Sequence, residues 1–237
     1  MDIASSSSRQ PALDPLLLLQ LADSAFPTGG FAHSAGLEAA LGHGFVRTPG
    51  ELTSAVSSLL WTAGTLSLPY VRAAHDVPGD APALALLHDT QLSTRVTNHA
   101  SRSQGRALLD AMVKTFALPE HGHLRRACDE AGAPLHLAPL FGACFGIATA
   151  SLDDTRRLFL FTTLRGAVGA AVRLNVVGPF EGQRIQASLV PLINGILSRT
   201  LRLRVADAAS SSPVWDVICG THDRLRTRLF QSLPRPA

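Results

Sequence analysis

The chain has 237 residues and a formal net charge of +3, with 46% hydrophobic and 16% charged residues. That length can bury a sizeable core as one domain or two small ones, and so small a net charge leaves no electrostatic footprint for nucleic acid. Cys128, Cys144 and Cys219 are too widely spaced for a disulfide framework or a zinc pattern, and they fit a reducing, cytoplasmic setting.

Met1 to Arg9 is serine-rich and lacks the apolar run of a secretory signal, so residues 1–12 are expected to form a disordered leader. Asp14 before Pro15 opens a helix whose apolar content is Leu16 to Leu21. Next comes Phe26-Pro27-Thr28-Gly29-Gly30-Phe31-Ala32-His33-Ser34-Ala35-Gly36-Leu37-Glu38. Pro27 fixes its own φ, and Gly29-Gly30 accept angles closed to other residues, so a tight turn is expected here. A helix from about Ser34 to Leu41 should follow. On the pattern alone this is either an ordinary inter-helix loop or a place where another backbone comes close.

Thr48-Pro49-Gly50-Glu51 is a capping box that starts a helix to about Leu66, and Pro69 begins a short one to about Asp76. After a Val77–Pro82 turn, helices are expected over Ala83–Val96 and Ser101–Phe116, and a short one within Pro119–Ala133. Pro134–Ala148 reads as a buried apolar run broken at Pro139. Ser151-Leu152-Asp153-Asp154 caps a helix to about Leu174, whose Gly166, Ala167, Gly169, Ala170 and Ala171 suit close approach of a second helix. Another helix is expected over Gln183–Leu203, kinked at Pro191. Ala206–Pro213 reads as a linker, and residues 206–237 as linker plus tail. The longest apolar stretch, Leu158–Val177, is interrupted by Arg165 and Arg173, so no membrane span is expected. No run alternates in the manner of a strand, and the expected fold is an all-α bundle of about eight to ten helices filling residues 13–205.

Catalytic signals are weak. Thr28-Gly29-Gly30 lacks the spacing of a phosphate loop, and the single lysine, Lys114, is remote in sequence. His121-Gly122-His123 has no carboxylate or thiol at ligand spacing and reads as structural or solvated. Asp153 and Asp154 read as helix-start charges, and His136 as a turn residue satisfying buried backbone groups. Surface charge is sparse and its cations are nearly all arginine, which suits a partner interface, though a GC-rich codon bias gives the same composition.

Five segments resemble, in order, the signatures of the urease accessory protein F family: Pro27–Glu38, Gln104–Leu108, His136–Gly142, Gly182–Arg184 and His222–Ser232. The likeness covers roughly Leu16 to Ser232 and departs at Val176-Val177-Gly178-Pro179, where relatives usually carry Pro-Leu-Gly-Gln. It implies an all-helical, non-enzymatic scaffold for nickel insertion into urease, working without a cofactor or metal site of its own. It also implies a homodimer that binds urease accessory protein D (also called H), recruits the GTPase accessory protein G and docks on apo-urease. No nucleic acid or membrane partner is implied. Phe31, His33, Ser34, Glu38, Arg228, Leu229 and Phe230 match partner-facing positions; Pro27, Gly29, Gly30, Gly36, His136, Gly142, Gly182 and Gln183 match positions that shape the fold. The alternatives are a GTPase-activating protein acting on the G protein through an arginine, and a helical small-molecule binder. In the tail, Leu225 and Leu229 are four apart, so a short helix is expected to order only on a partner, unless Leu229 and Phe230 pack back on the bundle.

Overall fold

A computed structural model describes residues 13–230; the leader 1–12 and the tail residues 231–237, Ser232 among them, lie outside the described residues. Twelve α-helical segments are present in them: α1 Pro15–Ala22, α2 Leu37–Gly42, α3 Pro49–Thr62, α4 Leu68–Asp76, α5 Ala81–Gln91, α6 Arg95–Phe116, α7 Pro119–Glu130, α8 Leu137–Ile147, α9 Leu152–Arg173, α10 Pro179–Ser188, α11 Val190–Arg199 and α12 Pro213–Gly220. α3 runs into α4 through a π turn over Ala63–Ser67, and α10 meets α11 at Leu189, so the segments form ten rods. No strand occurs among the described residues, and the expected all-α bundle is what forms.

Local signals explain most helix starts. Asp14 accepts from the Leu16 amide at 2.7 Å, and Thr48 and Glu51 form the reciprocal capping box of α3. Ser151 accepts from the Asp154 amide at 3.0 Å, while Asp154 stands at the positive end of α9. Several boundaries differ from expectation. α2 starts at Leu37, not Ser34, because Ala35 and Gly36 hold positive φ values of 51° and 88°. α6 starts at Arg95, because Thr94 caps it by accepting from the Thr97 amide at 3.1 Å, so Val96 opens α6 and does not close α5. Pro139 breaks nothing, since it lies in the first turn of α8, where the amide has no intrahelical partner to lose; the kink expected at Pro191 appears as the interruption at Leu189, which places Pro191 in the first turn of α11. The tail carries a single 3-10 turn, His222–Arg224, in place of the expected helix.

The centre of the bundle is α8. Ala138 to Phe145 are all buried, and α4, α5, α6, α7 and α9 pack around it. α4 crosses with its backbone directly on α8: a Cβ added at Gly142 would stand 2.0 Å from the Val71 carbonyl oxygen. α6 does the same through Gly105, where a Cβ would meet the Leu135 carbonyl oxygen at 2.0 Å. The small residues of α9 divide by face. Ala167, Ala170 and Ala171 are buried, and α10 reaches α9 by presenting Gly182 to Val168 and Val172. Gly166 and Gly169 meet no second helix; an added Cβ finds nothing within 4 Å at either.

The same substitution should therefore have opposite effects at two places. Gly142→Ala pushes a methyl into a carbonyl that cannot move aside, and overpacking of this kind costs about 3 kcal/mol. Gly169→Ala meets open space and should be neutral or stabilising by up to ~1 kcal/mol. Thermal denaturation of the two variants checks both signs.

Candidate partner-docking site

The site is a turn held by the far end of the chain. Gly29 takes φ +71° and leads into a single 3-10 turn, Gly30–Ala32, which holds Phe31 out at 74% exposure. Gly36 then combines φ +88° with a contact that tolerates no side chain: an added Cβ would lie 2.3 Å from Cys219 Sγ. α12 packs there, and Trp215 Nε1 donates to the Ala35 carbonyl at 3.2 Å. Burial pushes the Cys219 thiol up to about 12, so it is an inert packing group.

Glu38, 7% exposed, is the knot between turn and tail. Its Oε2 accepts from His222 Nε2 at 2.6 Å and from the Phe230 amide at 3.2 Å. Its Oε1 accepts from the Leu229 amide. Arg173, from the end of α9, makes the second link. Its guanidinium lies 3.7 Å from the centre of the Phe31 ring and 4.3 Å from that of Phe230, and it donates to the Phe31 carbonyl. Phe230 is 5% exposed while Leu229 remains 63% exposed. The tail thus packs back through Phe230 and presents Leu229. Arg228 is half-buried and donates to the Asp223 carbonyl at 3.0 Å, and the Asp223 carboxylate pairs with Arg95 at 3.5 Å.

Of the remaining expected positions, Pro27 and Gln183 are exposed and several others lie inside. Ser34 is buried, and His33 is half-buried with Nε2 lacking a hydrogen-bond partner. His136 is fully buried, but its ring serves side chains and not the backbone groups expected of it: Nε2 meets Asp89 at 2.8 Å and Nδ1 meets Ser101 Oγ at 3.0 Å. Burial opposes the Asp89 charge, yet hydrogen bonds from Arg102, Asn98 and His136 outweigh it and hold that carboxyl well below the usual range. His121 is buried with Nε2 against the Cys144 carbonyl at 3.1 Å. Pro27, Gly29 and Gly30 line a cavity of about 470 Å³ together with Gln104, Arg165, Arg173 and Gln183. A second cavity of about 300 Å³ lies beyond Gly30 and is lined by His33, His88 and His222. No group of three or more His, Cys, Asp or Glu among the described residues is placed to hold a metal ion. Arg173 and Trp215 are the residues that sequence reasoning missed. A lone arginine following Gly169, Ala170 and Ala171 was the available signal for the first; nothing local marks the second.

Two outcomes follow from this geometry. Glu38→Gln places an amide N–H₂ against donors and should destabilise by on the order of 3 kcal/mol, given the worth of hydrogen bonds to a charged acceptor. Hydrogen exchange at the Leu229 and Phe230 amides should accelerate. Burial also lowers the His33 imidazole from 6.5 to about 4 and the His88 imidazole to about 3. Both fold in the neutral form, so the unfolded chain binds protons first as pH falls. Stability should be level from pH 6.5 to about 8, above which the unfolded thiols ionise first, and decline below 6.5 toward 3, read as the thermal midpoint against pH. His88→Gln should reduce that decline.

No helix among the described residues is long and apolar enough to cross a membrane. The UreF family model matches residues 46–190. The chain is 35% identical over 215 residues to urease accessory protein F of Oryza sativa subsp. indica, covering 89% of this chain and 82% of that one. It is 35% identical over 217 residues to urease accessory protein F of Arabidopsis thaliana, covering 90% of each. To the urease accessory protein UreF of Paracidovorax citrulli it is 28% identical over 241 residues, or 98% of this chain and 94% of that one. With helices, turn and tail in place and these likenesses spanning them, the chain belongs to the urease accessory protein F family.

Proposed function

We propose that this chain is a non-enzymatic scaffold for nickel insertion during urease maturation. It binds accessory protein D/H, recruits the GTPase accessory protein G to apo-urease, and works as a homodimer. The observation that carries the reading is the face formed where turn and tail meet. Phe31, 74% exposed, and Leu229, 63% exposed, belong to the two segments that meet at Arg173, whose guanidinium lies against the Phe31 ring and the buried Phe230 ring. Exposed aromatic and aliphatic side chains fixed on a rigid base, with arginine beside them, are what protein partners use as anchors. Burial of Glu38 and Ser34 gives them the role of holding this face in shape. His33 lies under it, and Arg228 offers its unused donors at the edge.

Co-elution with the accessory proteins tests the reading. Phe31→Ala should weaken capture of D/H, and Arg228→Ala recruitment of G, each by about 2 kcal/mol or roughly 30-fold, the usual loss for an anchor. The isolated variants should keep their thermal midpoints within a few degrees, since an exposed cation–π contact is worth under about 1 kcal/mol. Wild-type capture by both variants would remove the face from consideration. A large, arginine-dependent acceleration of GTP turnover by the G protein would favour a GTPase-activating role instead.

A further inference from the structure

The 470 Å³ cavity beside the turn has an apolar floor that includes Leu108, Phe141, Phe145 and Val168. Its size falls within the range of sites that enclose a bound group. Two arginines of α9, Arg165 and Arg173, line it, and both are half-buried. Arg165 donates to the Ala22 carbonyl; Arg173 donates to those of Gly169 and Phe31. Among the described residues no carboxylate lies within 4.0 Å of either guanidinium. Each guanidinium has five N–H donors, so both keep some for another acceptor. Burial disfavours their charged forms; at Arg165 the Asp23 carboxylate already offsets part of that penalty, at Arg173 none does, and an arriving carboxylate would offset more at both.

Between them stands Gly169, four residues from each, so all three share one helix face. A Cβ at Gly169 would meet nothing, so packing within the chain does not require glycine here. Eight residues separate the arginines, or ~12 Å along the helix. Positions i and i+4 of an extended chain are ~13 Å apart, and i+2 points to the same side as both.

We propose that this cleft receives an extended segment of a partner protein with the pattern acidic-x-apolar-x-acidic. One carboxylate meets Arg165, the other meets Arg173, and the apolar side chain between them passes Gly169 to reach the floor. The inference rests on the reading of this face as a docking surface, and charge complementarity selects the occupant.

The test uses the full chain and a fluorescein-labelled peptide, Gly-Glu-Ser-Leu-Ser-Glu-Gly, with its Gln-for-Glu counterpart as control, read by fluorescence anisotropy. The acidic peptide should bind at least about tenfold more tightly than the neutral one, as charge-assisted bonds require. Added salt should weaken it. Arg165→Gln should remove most of that preference. Gly169→Leu should abolish binding by filling the cleft, with both arginines intact and helical circular dichroism retained. Equal binding of the two peptides, or none to wild type at millimolar concentration, overturns the proposal. In a second arm, accessory proteins are co-eluted with wild type, Arg165→Gln and Gly169→Leu. Equal capture by all three sinks the cleft and leaves the docking reading standing. Capture by none, wild type included, sinks the docking reading, and the peptide arm still decides the cleft.

Discussion

The packing of bare backbone around α8 is the constraint from which the rest follows. Gly142 admits the Val71 carbonyl of α4, and Gly105 of α6 admits the Leu135 carbonyl just before α8. A side chain at either position would hold the helices apart, and a close-packed interior cannot take up such a displacement locally. With α4 and α6 seated this closely, α9 closes on α8 and α4, and its C-terminal end arrives beside the signature turn. Arg173 therefore reaches Phe31 because of contacts made in the middle of the bundle. The face where turn and tail meet is set by core packing before any of its own residues are considered.

Glu38 completes the arrangement. A carboxylate taken out of water is costly unless its lone pairs are occupied. Here a histidine ring and two backbone amides, all from the chain's last described residues, occupy them. Such a site is specific: it accepts three donors in one geometry. It converts an end segment that would fray into a fixed part of the site, and it leaves Leu229 outward while Phe230 is drawn in. The buried His88 and His136, with half-buried Asp89, play a quieter part, tying α5 to the entry of α8 and to Ser101 on α6.

Gly166 and Gly169 show how one composition carries two meanings. In sequence they belong with Ala167, Ala170 and Ala171 as a small-residue helix made for close packing. In the fold the alanines are buried, while both glycines line the cleft. A helix of period 3.6 turns neighbouring residues to different surroundings, and only the position of α9 in the bundle decides which face is covered.

The sequence by itself determined the helical class and several helix starts, because caps act over three or four residues: Thr48 with Glu51, Ser151 with Asp154 and Asp14 with Pro15 are complete local statements. It also carried the family likeness, since the signature segments stand in order along the chain. Helix ends and interruptions were harder. The π turn at Ala63–Ser67 coincides with Thr65 bonding Ala209, and Gly36 ends the turn where α12 leaves no room for a side chain. The site itself was only half legible. Phe31 and the tail residues could be named, but not that Glu38 binds the tail, that Arg173 stacks between two rings, or that Trp215 caps Ala35. Most of those contacts join residues about 140 to 190 positions apart, at 142 for Arg173 with Phe31 and 192 for Phe230 with Glu38. No local periodicity encodes such a pairing; it exists only once the core has brought the two ends of the chain together.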